Sequence, residues 1–182
     1  SGSTEVHTLS AGSAFQSYTG HVATALYPTG SDYTWRFQMG DYNRDGIVDM
    51  YAIGRSGGSG RTEVHVLSGA DGYRTYLTHV ATALPATGGN NGWIIKLGDY
   101  DRDGILDLYA IDRNGASGRT DVHVLNGATN FTTYLAHVAT ALGATGSDGA
   151  WDFVLGDYNH DGSPDLFVIS KLGPGSGTTE VH

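Results

Sequence analysis

Residues 97–111 read LGDYDRDGILDLYAI, and two close variants occur elsewhere: MGDYNRDGIVDMYAI at 39–53 and LGDYNHDGSPDLFVI at 155–169. The copies are separated by a constant step of 58 residues. In each copy, an acidic segment with one glycine lies between two apolar runs. Apolar residues alternate before the segment, which indicates a strand, and the run after it is apolar on both faces, as in a buried strand. Each copy therefore predicts a strand, a loop and a second strand.

The rest of the chain repeats with the same step. The hexapeptide HVATAL begins at residues 21, 79 and 137, and a T-[ED]-V-H tetrad begins at 4, 62, 120 and 179, the last step being 59 residues. These segments predict a third and a fourth strand in each repeat. Four antiparallel strands in a repeat of this length are typical of a β-propeller blade. We predict an all-β fold, with one propeller domain over residues 1–182. Its repeats span 4–61, 62–119 and 120–178, with a stub at 179–182.

Composition limits the possible functions. The chain has 182 residues, 28 of them glycine, no cysteine and a formal charge of -9. This many glycines argue against a mostly helical protein, and the absence of cysteine excludes disulfides and thiolate chemistry. The acidic balance argues against nucleic acid as a partner. No apolar run approaches the roughly 20 residues of a membrane helix, so we expect no membrane insertion.

The acidic segments share the pattern D-x-[DN]-x-D-G-x-x-D, which predicts calcium binding. Oxygen side chains at positions 1, 3, 5 and 9 and the carbonyl at position 7 can surround one hard cation. An EF-hand is excluded because position 12, which needs Glu, falls inside the following apolar strand. We therefore expect three Ca²⁺ per chain. The candidate ligands are Asp41, Asn43, Asp45, Ile47 and Asp49; Asp99, Asp101, Asp103, Ile105 and Asp107; and Asp157, Asn159, Asp161, Ser163 and Asp165.

The three quoted segments resemble the calcium-binding half of FG-GAP/VCBS repeats, which form the blades of integrin-α-like β-propellers. The resemblance implies the same calcium ligands, with the acidic loop joining the first two strands of a blade. The FG-GAP/VCBS family includes propellers of the lectin type. A literal FG…GAP signature is absent, so integrin-type partner binding is not implied. The third copy has Ser163-Pro164 in place of an apolar pair, and we expect this hairpin to be held less well because proline lacks an amide donor.

Two further residue types follow the repeat. Trp35, Trp93 and Trp151 each lie six residues before the first loop aspartate, roughly 20 Å away along a strand. These tryptophans are candidate sugar-binding platforms, and the alternative is that they pack between blades. His65 and His79 should lie close together on paired strands. We interpret the repeated histidines as polar residues of the sheet, since zinc would need a third or fourth ligand nearby.

The predicted function is a binding module. No G-x-S-x-G or H-E-x-x-H motif occurs, and the other acids form no obvious pair, so we do not expect an enzyme. We expect a calcium-stabilised, lectin-like module for carbohydrate or cell-surface glycan, located outside the cell or on its surface. The alternatives are a protein-interaction or structural propeller, and an accessory domain of a secreted hydrolase.

Three repeats are too few to close a propeller, which typically has four to eight blades. The chain opens with predicted third and fourth strands and closes with first and second strands. Two chains would complete each other's blades twice. We therefore expect a homo-oligomer: a dimer that forms one six-bladed ring, with a nine-bladed trimer as the alternative closure.

Overall fold

The computed structural model describes residues 2–31, 33–173 and 177–182, and the regular secondary structure in these ranges is almost entirely β-strand. Residues 174–176 of the predicted third repeat lie outside the described residues. No helix in the described ranges is long and apolar enough to cross a membrane. The strands are β1 (Glu5–Leu9), β2 (Tyr18–Ala23), β3 (Trp35–Gly40), β4 (Asp49–Gly54), β5 (Arg61–Leu67), β6 (Tyr76–Pro85), β7 (Trp93–Gly98), β8 (Asp107–Asp112), β9 (Arg119–Leu125), β10 (Tyr134–Gly143), β11 (Trp151–Gly156), β12 (Asp165–Ser170) and β13 (Glu180–Val181).

Two complete four-stranded sheets form the middle of the chain. Strands β3 to β6 pair in sequence order, and so do β7 to β10, and every pair is antiparallel. The prediction of four-stranded antiparallel sheets is thereby confirmed. Strands β1 and β2 form a two-stranded sheet, and β11, β12 and the two-residue β13 form a three-stranded one. The described strands do not close a ring.

The strand register repeats from sheet to sheet. Trp35 is opposite Gly54 in the first complete sheet, and Trp93 is opposite the equivalent residue in the second. The β11–β12 ladder contains six residue pairs, as the other two ladders of this kind do. Pro164 precedes the first paired residue of β12, so its missing amide costs no ladder hydrogen bond. The expectation that this hairpin is held less well therefore finds no support in the ladder.

The core lies between successive sheets. All six residues of β4 are buried, and Tyr51 and Ile53 on one face pack with Ile95 and Leu108 of the next sheet. The second complete sheet packs in the same way against Phe153 and Val168 of the last sheet. Face-to-face stacking buries both faces of a central strand, which explains why its sequence is apolar without alternation. The stacking is consistent with propeller blades.

Short 3-10 turns follow β1, β5 and β9, and each turn packs on the acidic hairpin of its own sheet where that hairpin is present. They span Ala11–Ser13, Gly69–Asp71 and Gly127–Thr129. A Cβ placed on Gly127 would lie 2.2 Å from the carbonyl oxygen of Leu106. Only glycine permits this approach of the turn to the loop.

We predict that Gly127→Ala lowers the free energy of unfolding by about 1–3 kcal/mol, because a methyl group must displace backbone. Gly143→Ala is the matched control, since nothing lies within 4 Å of a Cβ at that position. The control should change stability by less than about 0.5 kcal/mol. Urea unfolding measures both, and equal stabilities would contradict the close packing of the turn.

Candidate functional site

The three acidic loops share one backbone conformation. The fourth and sixth loop positions have positive φ angles, 64° at Arg102 and 80° at Gly104 in the second loop. The same two positions have positive φ angles in the first and third loops. Left-handed backbone at two nearly adjacent positions turns the chain sharply, and glycine at the sixth position adopts it without strain. The turn brings the polar side chains of each loop toward one another.

Hydrogen bonds within the loop fix the first and fifth side chains. Asp99 Oδ2 accepts a hydrogen bond from the amide of Gly104 at 2.9 Å, and Asp103 Oδ1 accepts one from Ile105 at 2.7 Å. Both bonds recur in the other two loops. The residue at position 7, a predicted carbonyl ligand, is thus held by its own amide. The loop is ordered by its own side chains.

The ninth loop residue is a buried carboxylate. Asp107 is 1% exposed, and its two oxygens accept hydrogen bonds from the amides of Tyr100 and Gly127, each at 2.8 Å. Asp49 makes the equivalent pair of bonds in the first complete sheet. Burial raises the pKa of the Asp107 carboxyl group, and the two amide donors act in the opposite direction. The group joins the loop, the second strand and the 3-10 turn.

The second loop brings three carboxylates together. The ligating oxygens of Asp99, Asp101 and Asp107 all lie within 4.8 Å of one another. Asp99 Oδ1 is buried and has no hydrogen-bond partner among the described residues. An unsatisfied buried carboxylate oxygen is costly, and a bound cation would satisfy it. An all-oxygen donor set fits Ca²⁺.

The first and third loops differ at position 3. Asn43 and Asn159 replace the aspartate, and each donates a hydrogen bond to the position-5 aspartate of its loop at 2.9 Å. Within the described ranges, no group of three carboxylates gathers in these two loops. The second loop is therefore the most strongly acidic of the three candidate sites.

Arginines at the fourth loop position connect the loops in series, a feature that the sequence analysis missed. Arg44 donates to the carbonyl oxygens of Asp103 and Gly104 at 2.6 and 3.2 Å, and Arg102 donates to that of Asp161. The three loops therefore lie side by side along one end of the stacked sheets. The sequence contains an indication of this role, because an arginine occurs at the fourth loop position in two of the three copies.

The tryptophans lie at the opposite end of the sheets, as predicted. Trp35 is the first residue of β3, and its indole ring lies over Gly54, where a Cβ would be 3.3 Å from the ring. The ring centroids of Trp35 and His65 are 5.2 Å apart. Each of the three tryptophans is half-buried and packs on a core cluster. Each tryptophan therefore packs on the core and also keeps part of its ring accessible, so the two alternatives considered for these residues are compatible.

A cavity of about 270 Å³ lies beside Trp93. It is formed between the end of β6 and the second complete sheet, and it combines aromatic rings with carboxylates and imidazoles. Its lining includes Trp93, Asp112, Asp121, His123, Tyr134 and His137. Of these residues, only Trp93 is recognisable from the sequence as a ligand-binding candidate.

The repeated histidines pair across the outer two strands, as predicted. His65 is directly opposite His79, with ring centroids 4.0 Å apart, and His7 is opposite His21 at 4.2 Å. His65 is 7% exposed, and its Nε2 has no hydrogen-bond partner among the described residues. An interpretation as hydrogen-bonded sheet residues does not account for this buried nitrogen.

The stacked antiparallel sheets, each repeating the same strand order, are those of an all-β repeat protein and are consistent with β-propeller blades. Residues 41–110 match the model of the FG-GAP-like repeat family. The match begins in the first acidic loop and runs through the second, so the chain contains FG-GAP-like repeat sequence and the resemblance is confirmed. No curated protein matches the chain.

Proposed function

We propose that the chain is a calcium-stabilised, extracellular or cell-surface binding module for carbohydrate, without catalytic activity of its own. The FG-GAP-like repeat and the stacked sheets indicate an interaction module of the β-propeller type. Two observations support the finer proposal. One is the unsatisfied oxygen of Asp99 among three converging carboxylates, and the other is the aromatic and acidic cavity beside Trp93.

Calcium would act on stability rather than on chemistry. The loop carboxylates repel one another when no cation is bound, and the ion binds the folded loop in preference to the unfolded chain. Asp99, Asp101 and Asp107 with Asp103 would hold the ion in the second loop. Because Asp107 also binds the 3-10 turn, the ion would couple the hairpin to the third strand.

We predict that calcium raises the melting temperature and that excess EGTA reverses the rise. Saturation at a hundredfold excess over Kd stabilises by about 2.7 kcal/mol per site. Asp99→Asn should weaken the calcium effect while leaving the calcium-free protein as stable as the original or more so, since one repelling charge is lost.

Asp152→Asn is the control for this experiment, because Asp152 is exposed and lies outside the loops. It should retain the full calcium effect. Calorimetric melting of all three proteins, with calcium and with EGTA, measures the difference. A melting temperature that is the same in calcium and in EGTA would refute the proposed role of the ion.

Carbohydrate is the ligand class that best suits the cavity beside Trp93. Trp93 and Tyr134 offer apolar ring surface, and Asp112 and Asp121 offer hydrogen-bond acceptors for hydroxyl groups. Apolar walls with a few polar groups are typical of small-molecule sites. A protein-interaction or structural propeller, or an accessory domain of a hydrolase, would need no sugar in this cavity.

We predict that Trp93→Phe weakens glycan binding at least tenfold, because the smaller ring covers less of a sugar face while its packing on the core is largely kept. Tyr33→Ala is the control, since Tyr33 is 59% exposed and does not line the cavity. A glycan array followed by titration with the best glycan measures binding. No binding to any glycan on the array would reject the carbohydrate proposal in favour of a protein partner.

The incomplete sheets support self-association of the 182-residue chain. Leu9 and Phe15 are 46% and 64% exposed, whereas the equivalent Leu125 and Phe131 in the second complete sheet are fully buried. Strand β12 meanwhile pairs with only two residues of β13. Cavities of about 370 and 320 Å³ lie beside this open edge, and Leu166 lines both.

A second copy of the chain supplies what these edges lack. Strand β1 of one protomer would take the third-strand position beside the partner's β12, as β9 does beside β8. Leu125 is opposite Leu108 in that pair, so Leu9 would be opposite Leu166 of the partner subunit. The strand β13 now occupies part of this position and would be displaced. Two such junctions produce a six-bladed ring, and an open strand edge is removed at each.

We predict a mass of twice 19.2 kDa by light scattering. Leu9→Asp should give a monomer, because a charge would be buried against Leu166. Tyr27→Asp is the control, since Tyr27 is 83% exposed and lies outside the proposed junction of β1 with β12. A wild-type monomer would reject the assembly, and three times the chain mass would replace the dimer with the trimeric ring.

A further inference from the structure

We infer that Glu63, His65 and His79 form a binding site for a divalent transition-metal ion such as Zn²⁺, separate from the acidic loops. The inference does not depend on the proposed function. It rests on the positions of these three side chains, on their distances and burial, and on a comparison with the equivalent residues of the other sheets.

Strand geometry places the three side chains on one face. Glu63 and His65 are two residues apart on β5, so they point to the same side of the sheet. His79 on β6 is directly opposite His65. Glu63 is opposite Ala81, whose small side chain leaves the carboxylate free to reach the two imidazoles. The tetrad T-E-V-H and the histidine of HVATAL encode this arrangement.

The distances suit one small cation. Glu63 Oε2 lies 3.6 Å from His65 Nε2 and 3.7 Å from His79 Nε2, and the three ligating atoms all lie within 4.8 Å of one another. Ligands about 2.0–2.2 Å from a tetrahedral Zn²⁺ are about 3.3–3.5 Å apart. Two histidines and one glutamate are an established zinc ligand set with an exchangeable fourth position. Metal binding would require the cluster to contract. The two imidazole rings, which stack with their planes 28° apart, would also have to turn until both Nε2 lone pairs point at the ion.

The buried histidine is ready to act as a ligand. His65 Nε2 is buried without a hydrogen-bond partner among the described residues. Burial disfavours the charged imidazolium form, and the neutral imidazole carries the lone pair that a metal requires. A metal ion would satisfy a nitrogen that the protein leaves unsatisfied.

The Glu63 carboxylate is held in place by a hydrogen bond on the side away from the histidines. Glu63 Oε1 accepts a hydrogen bond from the amide of Ser59 at 3.0 Å, which leaves Oε2 directed at the histidines. A Cβ on Gly57 would lie 2.2 Å from Glu63 Cδ, so glycine at this position leaves room for the carboxylate where it now lies. Outer hydrogen bonds of this kind orient metal ligands.

The second complete sheet provides an internal comparison. Asp121 replaces the glutamate, is one methylene shorter, and accepts a hydrogen bond from Ser117. Its histidines, His123 and His137, meet edge to face at 62° rather than stacked. No three-ligand cluster forms there within the described ranges. The glutamate therefore decides whether a sheet offers a site.

The two-stranded sheet repeats the complete set in exposed form. Glu5 Oε2 lies 3.4 Å from His7 Nε2 and 3.3 Å from His21 Nε2. All three residues are solvent-accessible, so the ligands must be desolvated and ordered on binding. We expect this site to bind the same ions more weakly than the Glu63 site.

The test uses the untagged chain in buffer that contains calcium in excess, so that oxygen-rich sites are not available to the probe. Isothermal titration with ZnCl₂ should show one tighter and one weaker site. His79→Gln should abolish the tighter site or weaken it at least tenfold. His79 is mostly exposed, so this variant avoids the folding risk of replacing His65.

Two further variants sharpen the test. His137→Gln removes the equivalent histidine of the sheet without a cluster and should leave zinc binding unchanged. Asp121→Glu supplies the missing methylene and should add one binding equivalent. Zinc should also raise the melting temperature of the original chain by more than it raises that of His79→Gln.

Unchanged zinc stoichiometry and affinity in His79→Gln would overturn the inference. So would a tighter site that is lost in Asp99→Asn and kept in His79→Gln, because zinc would then occupy the acidic loops. Failure of the glycan or assembly predictions would leave these outcomes unaffected, since none of those variants changes the histidine cluster. Failure of the calcium prediction would leave the loops open to zinc, and Asp99→Asn distinguishes that case.

Discussion

The two complete sheets depend on a buried carboxylate at the end of the acidic loop, Asp49 in the first and Asp107 in the second. Asp107 begins β8, and its two oxygens bind amides from two different elements, the loop at Tyr100 and the 3-10 turn at Gly127. Because hydrogen bonds to a buried charged acceptor are stronger than neutral ones, this group fixes the hairpin relative to the third strand. Asp165 makes the loop bond alone among the described contacts, and its sheet is the incomplete one.

Most of the architecture could be predicted from the sequence, because comparison of its three imperfect copies distinguishes the positions that stay the same from those that vary. The strands, the loop between the first two strands and the pairing of His65 with His79 all follow from the repeat and from side-chain alternation. The sequence shows that Pro164 lacks an amide donor, but not whether a ladder hydrogen bond needs that amide. The strand register decides this, and Pro164 lies just outside the ladder.

The candidate sites were less predictable, since they depend on contacts between repeats. The bridge from Arg44 to Asp103 requires the loops to lie side by side, which no single repeat encodes. His65 is buried and its ring packs against Trp35, which lies in the preceding repeat of the sequence. Glu63 was within reach of sequence reasoning, because residues two apart on a strand share a face, yet its distance from the histidines is set by the Ser59 loop.

The two kinds of candidate metal site lie apart on the same sheets and differ in their donor atoms. The acidic loops offer carboxylate and carbonyl oxygens, which suit a hard cation such as Ca²⁺. Glu63 is opposite Gly54, which is opposite Trp35, so its cluster lies toward the end of the sheet that carries Trp35. The cluster adds two imidazole nitrogens, which favour zinc and neighbouring transition metals. The donor atoms would therefore determine which ion each site prefers. Calcium binds nitrogen ligands weakly, and the affinity for zinc is lowest where only oxygen ligands are present. On these proposals, the sheet β3–β6 would hold a structural ion at one end and a second ion, with an exchangeable fourth ligand position, toward the other. The aromatic cavity of the neighbouring sheet also opens toward that second end.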